Sequence, residues 1–179
     1  MPNKTSNKTS KDIFLPLFVL LILLIWNLLI LLTPFLESRS DLYPFFSYFC
    51  HQIPSRSITL NDLTFGLVQN FYIFPVCTRD LAFYLFLLLG SIVFSMHRGI
   101  TSKELPSLWW LVIAAIPMAI DGGTQLIGLR ESTNFLRFLT GSLLGFICAY
   151  YLIPLVNIFI SRKQKGKQNQ KIKTKNKSR

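Results

Sequence analysis

Residues 117–145 read P-M-A-I-D-G-G-T-Q-L-I-G-L-R-E-S-T-N-F-L-R-F-L-T-G-S-L-L-G. Two long apolar runs meet here across a short connection that carries Asp121, Gln125, Arg130, Glu131, Asn134 and Arg137. Apolar runs of membrane-spanning length on both sides of a turn predict two helices joined in a hairpin. Ionisable groups at the ends of such runs are costly to bury, so they face a bundle interior or a water-filled cavity. The turn is therefore the candidate site.

Spacing refines that reading. Pro117, Asp121 and Gln125 recur every four residues and share one face of the helix before the turn. Asn134, Arg137, Gly141, Gly145 and Ala149 fall on one stripe of the helix after it, where Gly141 and Gly145 let another backbone approach closely. That pair is also the expected surface for helix-helix self-association. Asp121 and Glu131 are the candidate acid or base, and Gln125, Arg130, Asn134 and Arg137 the candidate substrate-binding groups. The alternative is an Asp121 to Arg137 ion pair that only holds the hairpin together.

Over the whole chain, 51% of residues are hydrophobic and 15% charged, with mean hydropathy +0.43, a composition of integral membrane proteins rather than soluble domains. The expected fold is all-α and polytopic, with four transmembrane helices over residues 13–36, 81–97, 106–127 and, after a capping Ser132 or Thr133, up to 160. An aromatic-rich segment between the first and second (Tyr43, Phe45, Phe46, Tyr48, Phe49, Phe65, Phe71, Tyr72, Phe74) is expected to lie in the membrane interface. Residues 1–12 form an expected disordered basic leader, 13–160 the transmembrane domain and 161–179 a disordered polybasic tail. Asn27, near the middle of the first span, reads as polar glue between helices.

Nine of the nineteen basic residues lie after Ile160, in a stretch without a single acid. Charge placed directly after a spanning helix fits attraction to anionic lipids and the positive-inside rule, and nucleic acid is not an expected partner. Lys4, Lys8 and Lys11, Arg98 and Lys103, and the tail all assign both termini to the cytoplasm. The connections 37–80 and 121–134 carry six of the eight acids and then face outward together.

The first outer connection holds a second constellation, Cys50-His51-Gln52 followed by Cys77-x-x-Asp80. Thiolate, imidazole and carboxylate are ligands for zinc or iron, and C-x-x-D at a helix start sets both groups on one face, one turn apart. Cys50, His51, Cys77 and Asp80 are the expected metal ligands. A Cys50 to Cys77 disulfide on an oxidising outer face is the alternative.

Three motifs in this order, Cys50-His51-Gln52-Ile53-Pro54-Ser55-Arg56-Ser57, the run from Pro75 through Tyr84, and Asp121 through Gly141, resemble a family of small bacterial and archaeal membrane proteins grouped under a domain of unknown function. The resemblance covers roughly residues 40–150. It implies the fold and the candidate site rather than a reaction. Asp80 stands where that family often has a second cysteine, and Ala82 where it has glycine, so a redox C-x-x-C pair is excluded here. The expected function is a membrane protein with an outward polar pocket, acting on a lipid or lipid-linked substrate. A transport or binding component, or a structural subunit, is the alternative.

Overall fold

The computed structural model describes residues 10–36, 39–59 and 73–177, and all regular elements among them are helical. They are α1 (Ser10–Leu32), α2 (Arg39–Ser47), α3 (Thr78–Arg98), α4 (Leu108–Leu126) and α5 (Asn134–Lys177), with short 3-10 turns at Thr33–Phe35 and Pro54–Arg56. Residues 1–9 of the expected leader, and Phe65, Phe71 and Tyr72 of the aromatic segment, lie outside the described residues.

Three helical stretches are long and apolar enough to cross a membrane: Ile13–Phe35, Thr78–Arg98 and Asn134–Gln164. The fourth expected span corresponds to α4, whose last two turns carry Asp121, Gly122, Gly123, Thr124 and Gln125 and dilute its hydropathy. The tail expected to be disordered from residue 161 continues α5 to Lys177. Lys and Gln are good helix formers, and the tail contains no proline to stop a helix already nucleated upstream.

The most extensive packing joins α3 to α5. Small residues explain it. A Cβ built at Gly141 would run into the Arg79 carbonyl, one at Gly145 into the Phe83 carbonyl, and one at Gly90 would lie 2.8 Å from the Ala149 Cβ. The Gly141 and Gly145 face that was expected to receive a second copy is thus filled by the chain's own α3. In lipid, where apolar burial gives helices no reason to associate, such close backbone approach is a main source of attraction.

Polar ties set the order of the remaining helices. Asn27 of α1 donates to the Tyr84 carbonyl of α3 at 3.2 Å, the interhelical role its position predicts. Asn157 of α5 donates to the carbonyls of Ile100 and Ser102 at 2.8 and 2.9 Å, and the Tyr151 hydroxyl to that of Ser107 at 2.7 Å, so α5 holds the α3–α4 connection. At the opposite end, Trp26 meets Phe45, Phe46, Phe49 and Tyr84 edge-on and seats α2 against α1 and α3. Ile30, Phe46, Phe74, Val76 and Leu81 form the core beneath that end. On it rests the 48–59 loop, held by Thr78 Oγ1 donating to the Arg56 carbonyl at 3.1 Å.

Candidate functional site

The turn between α4 and α5 is built by its glycine. At the end of α4 the N–H of Gly128 bonds to the Gln125 carbonyl and that of Leu129 to the Thr124 carbonyl. This pattern requires a left-handed residue just past the helix, and Gly128 has φ 74°. The chain therefore doubles back, and Arg130 Nη2 reaches Asp121 Oδ1 at 2.9 Å. Thr133 then starts α5, its Oγ1 accepting the Leu136 N–H at 3.3 Å, as an N-cap does.

Asp121 is 2% exposed and its other oxygen, Oδ2, accepts from Arg79 of α3. Ser132 is a further partner. The alternative pair with Arg137 is not formed, because the two carboxylate oxygens are taken by Arg79 and Arg130. Both oxygens of the Asp121 carboxylate are thus held by guanidiniums, one from α3 and one from the turn after α4. The other acid or base candidate, Glu131, is 78% exposed and lies 3.6 Å from Arg56 on the rim.

Arg137 is only 2% exposed. Its Nη1 donates to Asn134 Oδ1 at 2.8 Å and to the Ser55 carbonyl at 3.4 Å. With its oxygen turned toward the guanidinium donors, Gln125 accepts from Arg137 Nη2 at 2.9 Å and from Arg56 Nε at 3.0 Å. The Nε atoms of Arg79 and Arg137 are buried without a hydrogen-bond partner, and no carboxylate among the described residues lies within 4 Å of Arg137. The structure thus brings Asp121, Gln125, Arg130, Asn134 and Arg137 together and leaves Glu131 outside.

Arg56, Arg79, Gln125 and Arg137 line one cavity of about 400 Å³, and Cys50, Cys77 and Asp80 line it too. The ligand atoms of these last three all lie within 4.8 Å of one another. His51 borders the cavity but is exposed and stands outside that group. Both cysteines are free thiols here. Cys50 Sγ accepts the Cys77 backbone N–H at 3.2 Å, and the Cys77 thiol donates to Asp80 Oδ2 at 3.2 Å.

The Cys50 thiol is pulled down to about 7, chiefly by hydrogen bonding from the Cys77 side chain and also by the backbone N–H groups of Gln52 and Cys77, against burial and the Asp80 charge. Gln52 adopts the left-handed region at φ 51°, unusual for a residue with a side chain, and this turn aims its N–H at the sulfur. Cys77 is pushed up, first because its proton is held on Cys50 and then by burial and Asp80. With Cys50 and Asp80 both in reach as acceptors, that proton is well kept.

Sequence reasoning passed over Arg56 and Arg79. Arg79 had a readable signal: a cation in the first turn of a helix opposes the macrodipole and calls for an anion nearby. Arg56 had none; its role depends on the long-range fold.

A family model described as "Predicted membrane protein (DUF2085)" matches residues 50–151, which span both groups of site residues. An uncharacterized protein of Methanocaldococcus jannaschii is 38% identical over 160 residues, covering 83% of this chain and 97% of its own length. An uncharacterized protein of Methanothermobacter thermautotrophicus is 34% identical over 98 residues, covering 54% of this chain and 77% of its own. No solved structure matches the chain.

Proposed function

The chain belongs to the DUF2085 family of predicted membrane proteins, and from that premise we propose that its arginine-lined cavity receives the oxyanion head group of a lipid or lipid-linked substrate. The observation that carries this reading is Arg137: a buried guanidinium with a spare N–H and, among the described residues, no carboxylate within ion-pair distance, facing a cavity shared with Arg56 and Arg79. Planar guanidiniums suit carboxylate and phosphate better than any other side chain does. A cavity at the ends of spanning helices lies at head-group depth.

In this reading α4 is the fourth span. Its 19 residues reach about 28 Å, close to the hydrocarbon thickness, and Leu108, Trp109, Trp110, Ile113, Ile116 and Ile120 form a broad exposed apolar face suited to lipid. Four spans put both termini on one side, and the Lys-rich ends favour the cytoplasm for that side and the outside for the cavity. Tags at either terminus should then be protected from protease added to intact cells.

The pocket is tested with purified protein in neutral detergent. Short-chain phosphatidic acid should raise the melting temperature, diacylglycerol of the same chains should not, and Arg137→Gln should abolish the difference. Equal stabilisation by both lipids, or an unchanged response in Arg137→Gln, would overturn the reading.

A further inference from the structure

We propose that Cys50, Cys77 and Asp80 hold one zinc ion with a coordination position open to the arginine-lined cavity. The metal site stands on its own residues; that the open position meets the bound anion rests on the reading of the pocket given above.

The donor set argues for zinc. Two sulfurs and a carboxylate oxygen within 4.8 Å of one another converge as ligands of a small ion do. Thiolates select zinc over magnesium or calcium, which prefer oxygen throughout. Two of the ligands are fixed by the first turn of α3, where positions 77 and 80 fall on one side. The third arrives on a loop whose left-handed residue, Gln52, is itself anchored by its side chain donating to the Tyr43 carbonyl at 2.6 Å. Backbone N–H groups directed at a sulfur are the kind of outer support that metal-binding thiolates receive.

Three protein ligands distinguish this arrangement from a closed structural site, in which four protein groups complete the tetrahedron. All three line the cavity that Arg56, Arg79 and Arg137 also line, so the fourth ligand must come from that space, as water or as the anion. A zinc ion with two thiolates and a carboxylate is negative overall, and adjacent guanidiniums offset that charge. His51, exposed beside the group, is not needed.

The test is metal content of the full chain purified in detergent without chelator. Wild type and His51→Ala should carry about one zinc per chain, and Asp80→Asn and Cys77→Ser should lose most of it. Cobalt exchanged into the wild type should give thiolate-to-metal absorption and the visible bands of a tetrahedral ion, both absent in Cys50→Ser. Melting curves of the four variants separate lost ligation from lost folding, and Asp80→Asn, which removes no volume, keeps the test valid if a cysteine variant fails to fold. Wild-type protein that takes up neither zinc nor cobalt, or whose Cys50 and Cys77 resist alkylation until a reductant is added, overturns the proposal. Phosphatidic acid stabilisation measured on chelator-stripped protein keeps the two readings apart: its persistence supports the pocket whatever the metal result, and zinc retained without it supports the metal site alone.

Discussion

Positive charge is distributed differently at the two ends of the bundle. In the segments that flank the cavity, residues 37–80 and 121–137, every basic side chain is an arginine: Arg39, Arg56, Arg79, Arg130 and Arg137. All eleven lysines lie elsewhere, before residue 12, at Lys103 and in the tail from Lys163 onward. The tail offers many point charges that act through their sum. The cavity offers a few planar groups whose individual hydrogen bonds matter, and there an arginine and a lysine are different residues.

The largest expected effect is at Asp121. Asp121→Asn leaves Arg79 without its buried partner, a loss on the order of 3–5 kcal/mol, read as a lower melting temperature in detergent. Combining it with Arg79→Gln should recover much of that loss, whereas combining it with Arg137→Gln should not. Recovery by Arg137→Gln instead would mean that the pairing described here is wrong.

Next comes Arg137→Lys. Lysine keeps the charge but not the bonds to both Asn134 and Gln125, so affinity for phosphatidic acid should fall about tenfold, or roughly 1.4 kcal/mol. Exchanging Lys163, Lys165 and Lys167 for arginine should leave that affinity unchanged. If Arg137→Lys binds as well as wild type, the contrast between the two ends reduces to net charge alone.

Smaller still is any single tail lysine. Replacing Lys163 by Gln should weaken association with anionic vesicles by about 1 kcal/mol at low salt, and the difference should vanish at high salt because exposed charges are screened. The smallest effect belongs to Glu131→Gln. Its ion pair with Arg56 is long and open to water, and such pairs contribute about 0–1 kcal/mol. A large loss of phosphatidic acid binding in this variant would move the site outward to the rim.

Much of this was legible in the chain itself. Hydropathy is a local property, so the spans in α1, α3 and α5 could be read directly, and four-residue spacing put Asp121 and Gln125 on one face, where both line or adjoin the cavity. The partners of those groups were not legible. Asp121 bonds Arg79 across 42 positions because Gly141 and Gly145 admit α3 rather than a second copy, and a small-residue stripe does not state which helix will fill it. Cys50, Cys77 and Asp80 were read correctly as neighbours, since a helix turn fixes two of them. His51 was included by adjacency in sequence; it borders the same cavity but is exposed and stands outside the group of three. The helical tail escaped because its composition speaks of solvation while its conformation is inherited from the span before it.

The seating of Arg79 on Gly141 has a consequence for how the protein is made. Each span can enter the bilayer singly, but the cavity exists only after α3 has docked on α5, since one residue supplies both the carbonyl that contacts the glycine and the guanidinium that holds Asp121. Until then Arg137, in the first turn of α5, can extend to the hydrated boundary; docking encloses it. Accessibility at position 137, followed during synthesis with a cysteine placed there, would therefore act as a clock for assembly, reading the interval between insertion of the last span and completion of the bundle.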